Sequence, residues 1–435
     1  MKLRIEKAVY GGAGLTHQTN GADKGKAIFV PFTLPGEIVE ARILEQKNAL
    51  GEAALIQILR ASDERIQPRC AHFGSCGGCN YQHADYSAQL EIKTSILKES
   101  LERAGLQSIP AIKSHSAKPW QYRNRTRFRI AESDSTLRVG YNRRGSIEFL
   151  AIHECPISAP LLVRAAEALL RTADKDPAAR RWVRSATEVE LFTTPDEKTL
   201  QMTLFVQKQQ SGFATLCEKL KNLLPELTGA GALLVATGPQ RRAKKPQQLA
   251  SWGADGLNYP AAGEKYWVSR GGFFQVNRFL IDQFVHLVTN ERRGSLAWDL
   301  YAGVGLFSRA LAREFQEVVA VEAAANDLVS SFRGPGKHAV EATALEFLRG
   351  AAVQRNRPDL IVMDPPRAGV GAEVCSLLAR ISAPELVYVS CDPVTLARDL
   401  NSLTNSGYNI EELRLVDMFP QTFHLETIAI LRRGS

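Results

Sequence analysis

The sequence lacks the long hydrophobic segments that mark secreted and membrane proteins. Its first residues, MKLRIEKAVYGG, contain no apolar core of a signal peptide. No run approaches the roughly 18 consecutive apolar residues that a membrane-spanning helix needs. Low-complexity tracts are missing as well, and no repeat with a period of about 20 to 50 residues is present. These absences argue against a secreted, membrane-spanning or solenoid protein and predict a cytoplasmic one.

Cysteine is scarce, with seven residues in a chain of 435. An odd number of thiols in a reducing cytosol argues against a disulfide framework, so clustered cysteines point instead to metal binding or catalysis. At about 150 residues per domain, the length predicts roughly three domains. The hydrophobic and charged fractions, 45% and 23%, are ordinary for a globular protein.

Positive charge is in excess. The 54 lysines and arginines outnumber the 46 acids, which gives a net charge of +8 and a pI near 9.1. The excess is concentrated between Lys113 and Arg144, where nine basic residues face only Glu132 and Asp134. Such a balance favours an anionic partner, most often a nucleic acid.

The pattern of short segments divides the chain into three parts. Residues 1–60 alternate apolar runs with glycine and proline, the rhythm of a small β-barrel. Residues 61–265 begin with a cysteine-rich segment and continue with mixed strands, helices and a basic loop at 238–248, which predicts a central α+β domain. Residues 266–435 alternate strand and helix and end with two strands that have no helix between them. This last pattern predicts a doubly wound, Rossmann-like parallel sheet with an antiparallel final strand.

A glycine turn in the C-terminal part indicates a nucleotide-like cofactor. DLYAGVG (299–305) ends a strand and turns on Gly303 and Gly305, and Glu322 ends the next strand about 20 residues later. By itself this pattern also fits a simple tight turn. The absence of a third glycine, the final antiparallel strand and Asp364 in MDPPRAG together favour S-adenosylmethionine over a dinucleotide, and hence a methyltransferase domain.

A thiol occupies the mouth of another strand-to-helix turn. Cys391 lies in LVYVSCDPVTLARDL, between an apolar strand and a helix that begins at Asp392-Pro393. Glu426 lies 35 residues later, just before the final strand. Alone, Cys391 fits a buried structural thiol better than a nucleophile, Glu426 fits a strand-end charge, and His424 fits a packing or hydrogen-bonding residue.

Five ordered motifs of the C-terminal part resemble those of the S-adenosylmethionine-dependent RNA uracil-C5 methyltransferases. They are GGFFQVN (271–277), DLYAGVG (299–305), DPPRAG (364–369), SCDP (390–393) and DMFPQTFHLE (417–426). YRNRTRF (122–128) and ECPI (154–157) resemble the central region of this family, and VPFTLPGEIV (30–39) resembles its N-terminal TRAM barrel, an OB-like fold. The resemblance covers nearly the whole chain.

The resemblance implies a covalent mechanism. Carbon C5 of uracil is a poor nucleophile, so the Cys391 thiolate would first add to C6 and generate an enolate that accepts the methyl group at C5. Glu426 would then remove the C5 proton so that the thiol can leave. For the cofactor, the resemblance implies contacts of Gln275, Tyr301, Gly303 and Glu322, with Asp364 near both the cofactor and the target base.

Two positions depart from the family pattern. Leu306 stands where many members carry asparagine, and Ala342 stands where an asparagine often meets the adenine. Cofactor contacts are in question at both places, where Glu341 or Thr343 could substitute.

The cysteine-rich segment RCAHFGSCGGC contains three candidate ligands in a C-x5-C-x2-C run, and a fourth cysteine follows at a distance. From spacing alone, zinc and an iron–sulfur cluster are about equally favoured. The resemblance implies a [4Fe-4S] cluster, for which we expect a structural role that pins the central domain to the N-terminal region. The four candidate ligands are Cys70, Cys76, Cys79 and Cys155.

Alternating arginines precede and enter a predicted strand in WQYRNRTRFR. Arg123, Arg125, Arg127 and Arg129 would project from one face and bind phosphates, because four like charges repel each other without an anionic partner. The aromatic residues Trp120, Tyr122 and Phe128 would stack on splayed bases. We expect the target uridine to flip out of its helix to reach the thiol.

The function predicted from the sequence is therefore formation of 5-methyluridine in structured RNA. By analogy with family members that combine a TRAM barrel with a cluster, 23S rRNA is favoured over tRNA. The alternative from another class is a non-catalytic RNA-binding or assembly factor on the same fold. The sequence implies no obligate protein partner and leaves the oligomeric state open.

Overall fold

The computed structural model of the protein describes residues 1–18, 25–47, 50–236, 246–354 and 357–434. Most of the basic loop predicted at 238–248 lies outside these ranges. No helix within them is long and apolar enough to cross a membrane.

The N-terminal unit is a six-stranded sheet. Its strands are β1 (Lys2–Arg4), β2 (Lys7–Val9), β3 (Ala13–His17), β4 (Ala27–Pro31), β5 (Ile38–Lys47) and β6 (Leu50–Arg60). They are ordered β1-β5-β6-β4-β3-β2, antiparallel except where β4 meets β6. In β4 only Ile28 and Val30 are buried, so every second side chain enters a small core. The curled sheet is compatible with the barrel predicted for residues 1–60.

The cysteine-rich segment leads into a helix and a short strand, α1 (Tyr86–Arg103) and β7 (Ile112–His115). Asp85 is the N-cap of this helix, and its Oδ1 accepts a hydrogen bond from Ser87 N over 2.9 Å.

The central unit is a seven-stranded sheet whose core is closed by three helices. Its elements are β8 (Arg125–Ser133), β9 (Thr136–Asn142), β10 (Phe149–Ala151), α2 (Pro160–Lys175), α3 (Pro177–Ser185), β11 (Ala186–Thr193), β12 (Leu200–Val206), α4 (Phe213–Leu223), β13 (Leu227–Leu234) and β14 (Gln247–Gly253). The strand order is β10-β9-β8-β11-β12-β13-β14. A hairpin of β15 (Gly256–Ala261) and β16 (Glu264–Ser269) connects this sheet to the last unit.

The C-terminal unit is a doubly wound α/β sheet. Its elements are α5 (Ile281–Thr289), β17 (Gly294–Leu300), α6 (Leu306–Leu311), β18 (Phe315–Glu322), α7 (Asn326–Ser331), β19 (Lys337–Glu341), α8 (Ala344–Gln354), β20 (Leu360–Met363), α9 (Gly371–Ile381), β21 (Glu385–Ser390), α10 (Pro393–Asn405), β22 (Tyr408–Val416) and β23 (Thr427–Arg433). The order is β19-β18-β17-β20-β21-β23-β22-β7, and β23 is antiparallel to both neighbours, as predicted. All four residues of β20 are buried, as expected of a strand covered on both faces.

Elements of the structure cross the boundaries drawn from the sequence at two places. The strand β7 pairs in parallel with β22, and α1 packs beside α10. Both elements therefore belong to the C-terminal unit, although they lie within 61–265. The boundary at 265/266 falls inside β16. Local sequence patterns did not reveal that an early segment completes a late sheet.

A buried ion pair fastens α1 to the C-terminal unit. Lys93 Nζ lies 2.6 Å from Asp417 Oδ1, and both side chains are fully buried. The same amine donates to Phe419 O over 3.0 Å, and Tyr86 donates its hydroxyl hydrogen to Asp417 Oδ2 over 2.8 Å. The ammonium and the carboxylate thereby replace much of the hydration that each loses on burial.

We expect Lys93→Ala to lower the free energy of unfolding by about 3–5 kcal/mol, because it leaves the Asp417 carboxylate buried without its cation. Lys98→Ala, on the exposed face of the same helix, removes a solvated pair with Glu102 and should cost less than about 1 kcal/mol. Urea denaturation of the two variants measures the difference. Equal losses would contradict this account of the buried pair.

Candidate active site

The final strand brings Cys391 and Glu426 to one edge of the sheet. Cys391 directly follows β21 and Glu426 directly precedes β23. Because these strands are antiparallel with Ser390 opposite Thr427, the thiol and the carboxyl leave neighbouring strands at the same level. Glu426 is 4% exposed, and among charged groups it contributes most to raising the pKa of the Cys391 thiol.

Two further carboxyl groups lie at the same edge. Asp364 follows β20, beside β21, and Asp299 lies in β17 on the other side of β20. Burial, together with the charge of Asp299, raises the pKa of Asp364 to about 7. Burial also raises the pKa of Asp299 to about 7, and burial together with Asp364 holds the pKa of Glu426 well above its usual range. The three acids therefore favour a positively charged ligand nearby.

The Cys391 thiol is protonated at neutral pH in this arrangement. Burial first, then Glu426 and Asp364, raise its pKa to about 11, while Arg367 acts in the opposite direction. Arg367 Nη2 donates to His424 Nδ1 over 2.8 Å. Burial and this arginine lower the pKa of His424 to about 4, so the imidazole is neutral and serves as a hydrogen-bonding residue, as expected from the sequence.

The turn after Cys391 is held by a capped helix. Asp392 is the N-cap of α10, and its Oδ1 accepts from Val394 N at 3.1 Å and Thr395 N at 3.0 Å. Pro393 occupies the first helical position. The local sequence SCDPVT thus fixes where β21 ends and where α10 begins, and with them the position of Cys391 between the two.

The turn at residues 299–305, which the sequence predicts to bind the cofactor, has a tight backbone that a ligand can approach closely. Glu322 Oε2 accepts from Gly303 N at 2.9 Å, so the end of β18 and the turn after β17 are joined. Gly303 adopts φ +57° and a Cβ there would meet nothing within 4 Å, which leaves the backbone open for close approach. Tyr301 also has a positive φ, +63°. Asp299 Oδ1 is buried and has no hydrogen-bond partner within the described ranges.

Gln275 lies in the loop between β16 and α5, and it is 7% exposed. Its carbonyl accepts from Asn124 Nδ2 at 3.0 Å, and Asn277 Nδ2 in the same loop donates to Met418 O at 3.2 Å. The loop is therefore fixed between the central sheet and the segment that carries Glu426.

The two departures from the family pattern have structural explanations. Leu306 is buried in the hydrophobic core at the start of α6. Ala342 packs on the core, and its N–H donates to Glu322 O at 3.2 Å. Thr343, one suggested substitute, is occupied in a capping box with Glu346, and Glu341 is exposed.

The arginine face differs from the prediction. Glu190 on β11 lies beside β8, 2.8 Å from Arg127 and 3.8 Å from Arg125. Arg125 also donates to Gly272 O and stacks on an aromatic ring, so its side chain is only 14% exposed. The prediction that these arginines repel each other without an anionic partner is wrong, because the adjacent strand β11 supplies Glu190. RNA contacts by Arg123, Arg125 and Arg127 remain a prediction.

Two of the predicted stacking aromatics were assigned wrongly. Tyr122 is fully buried and donates to Pro420 O at 3.1 Å, while Phe128 is 1% exposed in the central core. Trp120 is half-buried and lies under the Arg69 guanidinium. The strand alternation that places arginines outward places these rings inward.

All four candidate metal-binding cysteines line one cavity of about 410 Å³. Burial raises the pKa of Cys70 to about 11 and that of Cys79 to about 12, and Cys155 adds to both shifts, which places the thiols near one another. Within the part of the chain that the structure describes, no three His, Cys, Asp or Glu side chains meet closely enough to hold a single metal ion.

A half-buried arginine also faces this cavity. Arg123 lines its wall, and its Nε is buried without a hydrogen-bond partner among residues 1–18, 25–47, 50–236, 246–354 and 357–434. No carboxylate in those ranges lies within ion-pair distance of it. A guanidinium with a buried, unpaired Nε and no carboxylate partner favours a negatively charged occupant of the cavity.

Three features of the site were not predicted as functional. Arg367 lies within the DPPRAG motif, and Lys93 lies in a helix with other lysines. Tyr10, whose hydroxyl donates to Asp392, lies in the N-terminal glycine-rich segment. Their roles depend on contacts across more than 50 residues, which no local pattern encodes.

Comparisons with known proteins agree with this geometry. The model of the tRNA (uracil-5-)-methyltransferase family matches residues 85–333 and 337–434. An uncharacterized RNA methyltransferase of Aquifex aeolicus is 33% identical, with 99% of this chain and 98% of that protein covered. The 23S rRNA (uracil(1939)-C(5))-methyltransferase RlmD of Aeromonas hydrophila is 30% identical, with coverages of 95% and 93%.

A solved structure shares the fold over the whole length. It is the tRNA (uracil-54, C5)-methyltransferase of Pyrococcus abyssi in complex with S-adenosyl-L-homocysteine, with a TM-score of 0.76, 22% identity and 99% of each chain covered. The ordered motifs, the sheet and the family match lead to one conclusion: the chain belongs to the tRNA (uracil-5-)-methyltransferase family and is an RNA uracil-C5 methyltransferase.

Proposed function

We propose that the protein methylates C5 of a uridine in structured RNA through a covalent bond between Cys391 and the uracil ring. The observation that carries this proposal is the antiparallel pairing of Ser390 with Thr427, because it sets a thiol beside a buried carboxyl group. A non-catalytic RNA-binding role would require neither group at that edge.

S-adenosylmethionine, when bound, supplies a methyl group on a positively charged sulfur. The open turn at Gly303 and the unpaired Asp299 Oδ1 are suited to hold it, with Glu322 at the ribose and Gln275, Tyr301 and Asp364 around it. A positive charge next to Asp364 and Glu426 lowers the pKa of both carboxyl groups and so favours the ionised base.

The chemistry then proceeds on the pyrimidine. Cys391 first releases its thiol proton to solvent, and the thiolate Sγ then bonds to C6 while the electron pair of the C5–C6 double bond moves toward O4. Carbon C5 would take the methyl group as the bond from the methyl donor's sulfur breaks and leaves a neutral thioether. Glu426 then accepts the proton that C5 still carries. The electrons of that C–H bond restore the double bond as the bond from sulfur to C6 breaks. Arg367, a cation that lowers the pKa of the thiol, stabilises the thiolate at the start and the end.

The cysteine cavity is suited to a [4Fe-4S] cluster. The donor set is four thiols from two segments, and in a cluster each thiolate binds a different iron, so the ligands need not meet at one ion. Four thiolates around zinc remain the less favoured alternative. Either group is negatively charged when ligated, which accounts for Arg123 in the wall.

Contacts around the cavity support a structural role for the cluster. Phe73, between the first two ligands, packs edge-on against Phe32 of the N-terminal sheet at 5.1 Å. Cys76 forms a backbone bridge with Arg143 of the central unit. On the far side, Asn80 N and Tyr81 N donate to Gln421 O, in the segment that carries Glu426. A cluster there would hold three units together.

We favour 23S rRNA as the substrate over tRNA. The relatives named as 23S rRNA enzymes are 30–31% identical over at least 95% of this chain, whereas the tRNA enzyme of known structure is 22% identical. Burial of Arg125 and the ion pairs of Arg127 leave less free cationic surface on β8 than predicted. The remaining basic residues of the central and N-terminal units would therefore contribute to RNA binding.

The base role of Glu426 predicts a trapped intermediate. With Glu426→Gln, Cys391 can still add and the methyl group can still transfer, but the C5 proton remains. We expect RNA that bears the new methyl group to accumulate as a covalent complex with the variant, and turnover to fall by at least about 100-fold. Denaturing gels with methyl-labelled cofactor measure both. Full turnover by this variant, with no complex, would remove Glu426 from the mechanism.

The choice of RNA predicts which molecule loses its modification in a deletion strain. Mass-spectrometric mapping should find 5-methyluridine missing from one position of 23S rRNA and unchanged in tRNA. Re-expression of the wild-type chain, but not of Cys391→Ala, should restore it. Loss confined to tRNA would select the alternative substrate.

An anionic cluster in the cysteine cavity should depend on Arg123 for its retention. In protein purified without oxygen, Arg123→Gln should lower iron and sulfide per chain severalfold, while Arg123→Lys should retain more, because it keeps the charge. Arg164→Gln is the matched control, since that arginine pairs with Glu226 and does not line the cysteine cavity. Unchanged iron and sulfide in Arg123→Gln would contradict this assignment, and zinc in place of iron would select the alternative group.

A further inference from the structure

A turn of the N-terminal sheet reaches the catalytic edge of the C-terminal sheet. Tyr10 lies between β2 and β3, and its hydroxyl donates to Asp392 Oδ2 over 3.3 Å. Asp392 is the residue directly after Cys391. An N-terminal unit that served only to bind RNA would not need a contact at this position.

The turn at residues 10–12 packs closely against the rest of the protein. Gly11 and Gly12 have φ of +106° and +86°, which allow β3 to begin after three residues. A Cβ on Gly12 would lie 2.8 Å from Asn80 Cβ, so a side chain there would push the turn away. Asn80 itself follows Cys79 and donates its backbone N–H to Gln421 O.

The strand that precedes Tyr10 is docked on the C-terminal unit. Ala8 belongs to the same buried cluster as the inner face of α1, and Lys7 Nζ lies 2.5 Å from Glu99 Oε1 on that helix. Tyr10 is half-buried and packs on this cluster as well. Its position relative to Cys391 is therefore set by the protein itself rather than by RNA.

The ring of Tyr10 contacts the second catalytic segment. It packs edge-on against Phe423 with 5.4 Å between ring centroids, and Phe423 lies 4.3 Å from the ring of His424. This segment ends two residues later at Glu426. One side chain thus touches the residue after the nucleophile and the loop before the base.

The two oxygens of Asp392 have different tasks. Oδ1 accepts the backbone hydrogens of α10, and Oδ2 accepts the Tyr10 hydroxyl. With both oxygens bound, the carboxylate has one orientation, and the backbone between Ser390 and Asp392 is fixed with it. Burial and the Asp392 charge hold the pKa of Tyr10 above its usual range, so the phenol remains a donor.

We propose that Tyr10 is a positioning residue for Cys391, and that the N-terminal sheet is thereby a part of the catalytic site as well as a candidate RNA-binding unit. This inference rests on the proposed role of Cys391 as nucleophile. It assigns to the turn 10–12 a contribution to the chemical step at saturating RNA, not only to RNA affinity.

The test compares Tyr10→Phe with Tyr408→Phe. The first keeps the ring on Phe423 and removes only the hydroxyl. The second removes a hydroxyl that donates to Ala383 O over 2.9 Å at the opposite end of the sheet. At saturating RNA containing 5-fluorouridine, we expect the rate of covalent-adduct formation to fall about tenfold in Tyr10→Phe, because the thiol is no longer held in place. RNA affinity should stay within about twofold, and Tyr408→Phe should match the wild type in both.

A double-mutant cycle identifies the path through Asp392. Asp392→Asn preserves a helix N-cap, and its combination with Tyr10→Phe should be no slower than the slower single variant. Multiplicative effects would show that Tyr10 acts elsewhere and would overturn the proposal. Weaker RNA binding with an unchanged adduct rate in Tyr10→Phe would also overturn it. Absence of adduct in the wild type would instead reject the proposed function itself.

Discussion

The arrangement of the site depends on one strand that runs against its sheet. Because β23 enters between β21 and β22 in the antiparallel sense, its beginning lies beside the end of β21. In an all-parallel sheet, the start of the last strand would lie at the opposite edge, and Glu426 would be separated from Cys391 by the length of β21. The chain reversal, rather than any single motif, unites the two groups.

Electrostatics gives this edge its selectivity. Burial disfavours the charged forms of Asp299, Asp364, Glu426 and Cys391, so without ligands the site holds protons. In the proposed mechanism, a ligand with a positive sulfur reverses that balance and favours the ionised form of Glu426. The charge is reversed at the cysteine cavity, where Arg123, with a buried and unpaired Nε, favours an anionic occupant.

Much of the candidate site could be predicted because its residues stand where strands end. Asp364, Cys391 and Glu426 each adjoin a short apolar run, and the Gly303 turn follows another, so periodicity and motif order located all four. The doubly wound sheet and its reversed last strand followed from the same rhythm. These features are local in sequence and needed no knowledge of distant contacts.

The remainder depended on contacts between distant segments. The strand β7 completes a sheet whose other members begin at residue 294, and Glu190 neutralises arginines some 60 residues earlier. The Lys93–Asp417 pair and the Tyr10–Asp392 bond span more than 300 residues each. An amphipathic pattern indicates that a residue is buried or exposed, but it does not indicate which partner it meets.

The most direct measurement is peptide mapping of the complex formed by the wild-type protein with 5-fluorouridine-containing RNA and S-adenosylmethionine. Fluorine at C5 cannot leave as a proton does, so the bond from sulfur to C6 should persist. The account predicts a nucleotide attached to the peptide that contains Cys391, on a ring that carries the transferred methyl group. A nucleotide attached to any other residue, or methylated RNA with no attachment, would contradict it.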